Sequence, residues 1–211
     1  MVYEYPQNKV DSSSIVSPSA IIGEGNYIGP NCYIGPNVII GNNNRIEGFS
    51  SIGTPPEYRG MTDDFGSVRI GDNNVIREFT TINSSVKKCT EIKNRCLLMK
   101  GSHVGHDAVI EDDVTLSCNS LVGGFSHLMK GCNIGLGVAI HQRVVIGAYC
   151  MIGMNSCVTR KSEIIPGRKY VGNPARDIGP NNYSIEKFSI LDSDLQLLIN
   201  DFFKKKSTLS K

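Results

Sequence analysis

The chain has 211 residues, 40% hydrophobic and 20% charged, the balance of one ordinary soluble domain with a sizeable core. Lys and Arg number 22 against 20 Asp and Glu, and the resulting formal +2 provides no charge field aimed at nucleic acid or a membrane surface. No apolar run approaches the ~20 residues of a membrane span, and the opening MVYEYPQNKVDSSS lacks the basic-then-apolar order of a secretory signal.

From Val10 onward an aliphatic residue recurs every six positions: Val16, Ile22, Ile28, Ile34, Ile40, Ile46 and Ile52. The phase is lost over residues 54–69 (TPPEYRGMTDDFGSVR), too polar and too rich in Pro and Gly to continue a strand, and predicted to be a loop at a corner. It returns at Ile70, Ile76 and Ile82, slips by four residues, and resumes from Ile92 through Leu98, Val104 and Ile110 to Ile164. All 24 positions are aliphatic, and 11 are followed directly by Gly. From Cys96 to Ser162, the residue four places after each aliphatic is small or β-branched. A compact residue alternating with a large inward one predicts a tight prism of short strands. After Ile164 comes PGRKYVGNPAR, an irregular last turn. Then Ile185, Phe188, Leu191, Leu195, Leu198 and Phe202 recur at helical spacing, predicting one helix or two short ones. Ser193 with Gln196 is expected to form a capping box, Lys204–Lys206 to close the helix, and the helix to cover the open end of the prism.

The pattern over residues 10–166 resembles that of the hexapeptide-repeat acyltransferases. The resemblance implies an all-β fold, a left-handed parallel β-helix with a short C-terminal α-helical segment. Residues 1–176 are then the β-helix domain and 177–211 the helical segment. Glycine, at 22 residues, exceeds the ~7% norm as such winding needs. Of the seven cysteines, Cys32, Cys96, Cys132 and Cys150 fall in the compact inward register, with Cys132 and Cys150 one coil apart. They read as packing thiols, reduced as in a cytoplasmic protein.

Only four histidines occur, His103, His106, His127 and His141, all within 39 residues. LLMKGSHVGHDAVI resembles the segment of the UDP-N-acetylglucosamine acyltransferase family that carries its catalytic base, the second His of an HxxHD. AIHQRVVIGAYCMIG and RIGDNNVIREFTTIN resemble two further segments of that family. The resemblance implies that His106 is the general base, since imidazole titrates near neutrality. It implies that the backbone N–H of Gly124 is the oxyanion donor. Asp107 can orient His106 only if the chain turns there, because consecutive strand residues face opposite ways. His103 and His141 become substrate contacts. Another His of the family motif falls on Phe125, with His127 two residues on as a substitute. Met154 matches the acyl-length ruler, where a flexible thioether shortens the groove.

Several features depart from the family. Its Gln-Asp-x-Lys sugar contact is here Glu57, Tyr58, Arg59 and Gly60, leaving Arg59 as the substrate-binding candidate of that loop. Only about 35 residues follow the prism. GNPAR at 172–176 resembles a segment of acetyltransferases that use coenzyme A, its plainer reading being a tight exit turn. These features favour an acyltransferase moving a short or medium acyl group from acyl-CoA, with acyl carrier protein the other donor, to an amino or hydroxyl group of a nucleotide-linked sugar. No permanent cofactor or metal is expected. The family further implies a homotrimer with sites between prisms. The alternatives are a UDP-N-acetylglucosamine 3-O-acyltransferase using acyl carrier protein, a γ-type carbonic anhydrase (whose H-x4-H is missing), and a non-catalytic scaffold.

Overall fold

The computed structural model describes residues 7–60 and 64–209. Two- to four-residue strands wind into three parallel sheets, here called I, II and III, and a last five-residue strand, Arg176–Pro180, is added antiparallel at the end of sheet I. Consecutive strands fall on successive sheets, and each pairs with the strand one coil away: Leu97↔Thr115↔Asn133 in sheet I, His103↔Leu121↔Ala139 in II, Val109↔His127↔Val145 in III. In a two-residue strand the second residue faces inward, so one aliphatic per hexad enters the prism. All the repeat aliphatics from Ile28 to Ile164 are buried and form one column. Val10, at 43% exposure, and the half-buried Val16 and Ile22 belong to the first coil, which has no described coil beneath it. Cys132 and Cys150 are buried beside the paired Asn133 and Met151, as the register predicts. All seven cysteines are free.

The two irregularities of the repeat leave the prism at the same place, the corner between sheets II and III. The first lies between strands Ser51–Thr54 and Ser67–Ile70, so the strands reach further into 54–69 than the composition predicts. The four-residue slip is an insertion between Thr81–Asn83 and Cys89–Ile92. The two excursions are joined: Ser84 N–H donates to Thr54 O and Gly66 N–H to Ser85 O, both at 2.8 Å.

The C-terminal segment departs from expectation in two respects. It holds two helices, α1 (Asn182–Lys187) and α2 (Asp192–Leu209). The start of α2 uses Asp194, not a Ser193–Gln196 box: the Asp194 carboxylate accepts from the Leu191 N–H at 3.2 Å, since the helix begins two residues earlier than the spacing suggests. Nor does the helix cover the end of the column. Phe202 is fully buried against Met129, Val145, Ala148 and Tyr149, on the outside of sheet III and its corner with sheet I. The end is closed instead by strand Arg168–Val171, which brings Tyr170 and, in the turn after it, Ala175 into the core. The Tyr170 hydroxyl accepts from the Ile165 N–H at 2.8 Å. No helix among the described residues is long and apolar enough to cross a membrane.

Candidate active site

The II–III corner stacks Gly105-His106-Asp107, Gly123-Gly124-Phe125 and His141-Gln142-Arg143 in successive coils. The third residue of each triplet is left-handed, with φ of 57° at Asp107, 59° at Phe125 and 60° at Arg143. This turn removes the alternation that would have separated His106 from Asp107. The His106 Nδ1 lies 3.1 Å from Asp107 Oδ2. Three N–H groups of the insertion converge on the same carboxylate: Val86 on Oδ2 at 2.7 Å, Lys87 and Lys88 on Oδ1 at 3.0 and 2.8 Å. Burial opposes ionisation of Asp107, but these donors and His106 outweigh it and hold the carboxyl below its ordinary range. An ionised carboxylate only accepts, so Nδ1 carries a proton, which leaves Nε2 with the lone pair whenever the ring is neutral.

Gly124 sits against the face of the ring at its Nε2 end. A Cβ built there would meet His106 Nε2 at 2.6 Å, so only glycine leaves the ring this position. The Gly124 N–H has no hydrogen-bond partner among the described residues. Tyr58 from the first excursion and Phe125 approach the His106 ring edge-on, at 5.9 and 5.0 Å between centroids, and Arg143 lies over Phe125. Although walled in by these rings, His106 keeps 6% of its surface exposed.

His103 stands on the outer face of sheet II, one strand before His106. Its Nδ1 is 2.8 Å from Thr81 Oγ1, and burial pushes its pKa down, with Glu57 pulling the other way. Burial thus favours the neutral ring of His103. His141 is exposed two coils above His106, on the same corner, with Nδ1 on the Gln142 carbonyl. Arg59 is exposed on the first excursion, next to Tyr58.

Two of the expected site residues lie elsewhere. His127 is on the outer face of sheet III, where its Nε2 contacts Glu111 Oε1 at 2.6 Å, with Lys205 of α2 at 3.7 Å from the same oxygen. Met154 is 67% exposed at the corner between sheets I and II, an edge away from His106. Among the described residues no three of His, Cys, Asp and Glu gather as a metal site. Sequence reasoning missed Tyr58, Thr81, Thr90, Glu111 and the Val86–Lys88 amides. The four-residue slip was the one signal for the amides.

Parallel hexad coils bearing a buried His–Asp pair at one corner define a β-helical protein with a candidate acid–base site. The bacterial transferase hexapeptide pattern (six repeats) matches residues 19–54. The acyl-[acyl-carrier-protein]–UDP-N-acetylglucosamine O-acyltransferase of Gloeothece citriformis is 34% identical over 157 residues, 72% of this chain and 55% of that protein. The chain thus spans little more than half the length of the curated relatives it matches. Among solved structures, UDP-N-acetylglucosamine O-acyltransferase from Moraxella catarrhalis is 30% identical with a TM-score of 0.68, covering 93% of this chain and 81% of that one. The UDP-N-acetylglucosamine acyltransferase from Bacteroides fragilis is 27% identical with a TM-score of 0.78, covering 91% and 82%. The chain belongs to the hexapeptide-repeat acyltransferase family.

Proposed function

We propose that this protein transfers an acyl group from an acyl carrier protein thioester to a hydroxyl of a UDP-N-acetylglucosamine-type nucleotide sugar. The observation that carries the reading is the buried His106, with Nδ1 committed to Asp107 and Nε2 against Gly124. In this reading Nε2 takes the acceptor hydroxyl proton while that oxygen bonds to the thioester carbonyl carbon. The Gly124 N–H then stabilises the tetrahedral oxyanion. Collapse breaks the C–S bond, and the imidazolium returns its proton to the departing thiolate. His103, exposed His141 and Arg59 are the acceptor contacts.

The relatives favour acyl carrier protein over the acyl-CoA that GNPAR and the other departures suggest, and GNPAR lies in the turn linking strands Arg168–Val171 and Arg176–Pro180 at the end of sheet I. The relatives' names specify acyl carrier protein as donor and UDP-N-acetylglucosamine as acceptor. A homotrimer is part of the proposal. Half-exposed Leu121, exposed Ala139, Leu136 and Met154 line the face and edge of sheet II beside His103, an apolar strip that a neighbouring prism would cover to make an acyl groove. The free cysteines suit a reducing, cytoplasmic setting.

The test is turnover of purified protein with acyl carrier proteins and acyl-CoAs of graded chain length against UDP-N-acetylglucosamine and its amino-sugar analogues. Wild type is expected to acylate the hydroxyl sugar from the carrier protein, and His106→Ala to lose ~10²–10⁴ in kcat/KM. Full turnover by His106→Ala would refute the base, and transfer from coenzyme A alone would refute the donor.

A further inference from the structure

We propose that the corner insertion Ser84–Lys88 and the Thr90 hydroxyl form a positioning device that pins Asp107 and thereby sets the Nδ1–H tautomer of His106. The proposal rests on His106 being the base. An uninterrupted hexad needs six residues from one aliphatic to the next, whereas Ile82 to Ile92 takes ten. In the two coils above, the left-handed corner residue donates its N–H to a carbonyl one coil below: Phe125 to His106 O and Arg143 to Gly124 O, both at 2.9 Å. At Asp107 that carbonyl is replaced. The Asp107 N–H instead donates to Thr90 Oγ1 at 2.8 Å, a fully buried hydroxyl.

What the insertion offers at the vacated position is three backbone donors. Val86, Lys87 and Lys88 direct their N–H groups to the Asp107 carboxylate, and His106 Nδ1 is its fourth neighbour. Both carboxylate oxygens are engaged, so the group cannot rotate away from His106. The insertion is itself fixed: Ser85 Oγ donates to Lys88 O, and Ser84 and Ser85 are bonded to the stems of the first excursion. An insertion that merely rounded the corner would satisfy its amides with carbonyls and leave position 107 open to any turn-forming residue. With these donors an amide at 107 is unsuited, because its NH2 would face an N–H. Thr90 and the insertion touch no reacting atom and act only through Asp107.

The test compares Thr90→Val and Thr90→Ser with wild type in the full chain, measuring kcat and KM separately and the ring-nitrogen NMR shifts of His106. Thr90→Val, nearly isosteric, leaves the Asp107 N–H unpaired. It is expected to lower kcat by about tenfold with KM within about twofold, the loss of one hydrogen bond in positioning. The ring shifts should change from one Nδ1–H tautomer to a mixture, and Thr90→Ser should restore both readouts. A folded Thr90→Val with wild-type kcat and a single Nδ1–H tautomer overturns the proposal. Should Thr90→Val not fold, Asp107→Asn is read in the same spectrum, and an unchanged Nδ1–H tautomer there overturns it as well. His106→Ala, assayed alongside, separates the two failures. Full activity of His106→Ala removes the base itself, whereas an inactive His106→Ala beside a wild-type Thr90→Val removes only the positioning device.

Discussion

Replacing Gly124 by alanine adds a single methyl group at the most confined point of the site. The new Cβ falls 2.6 Å from His106 Nε2 and 2.8 Å from Cε1, short of the 3.4 Å at which ordinary contact begins by 0.8 Å. Gly124 has no positive φ, so alanine suits its backbone and the strain is carried by the imidazole. The ring can yield only by leaving Asp107 Oδ2 or pressing on Phe125 and Tyr58. A displacement near 1 Å of a reacting group costs ~10²-fold. We therefore expect Gly124→Ala to lose ~10² in kcat/KM while melting within a few degrees of wild type. Gly123→Ala is the control. Its Cβ would sit 2.5 Å from Gln142 N and 2.8 Å from Ile140 O, backbone atoms of the next coil that cannot swing aside. That variant should lose ~1–3 kcal/mol of stability, as overpacking does. Steady-state acyl transfer and thermal denaturation on both variants decide the matter. Full turnover by Gly124→Ala at unchanged stability would mean that His106 does not react from the position seen here.

Glu111 is partly buried, a penalty outweighed by His127, Lys205 and the Lys130 N–H, and its pKa is lowered to about 2. A carboxyl depressed on folding contributes stability that is present above its unfolded pKa, near 4.5, and lost as pH falls toward 2. Melting curves should show Glu111→Gln less stable than wild type at pH 6 and the gap closing between pH 4.5 and 2; a constant gap contradicts this. Phe202→Ala should cost ~3–5 kcal/mol of α2 docking and expose the helix to limited proteolysis before the prism. Leu121→Lys should convert a species of three times 23.0 kDa to the monomer in sedimentation, and a monomeric wild type would remove the shared groove. Met154→Gly should raise the preference for longer acyl donors, and equal ratios across a chain-length series would exclude Met154 from the acyl groove.

The six-residue period determined the winding, because each hexad supplies one side and one inward aliphatic, and stacking those aliphatics is the way this chain buries them. Ile28 and Ile164 could accordingly be assigned to one column without any long-range information. The His103–His106 segment and the glycine at 124 were also legible, since both fall in strings whose spacing the winding preserves. What the tertiary structure alone decided were contacts between chain stretches about 20 residues apart, made at one corner. The pairing of Asp107 with His106 required a left-handed turn, and its donors are backbone amides of Val86–Lys88, which have no side-chain signature. The slip after Ile82 betrayed an extra length of chain but not the carboxylate it wraps. His127 was placed by adjacency to a motif, yet strand alternation put it on sheet III, where Glu111 and Lys205 hold it. The helical periodicity gave α2 an apolar stripe, but which surface it met depended on where Met129, Val145 and Tyr149 come together, and that is a property of stacked coils rather than of any one of them.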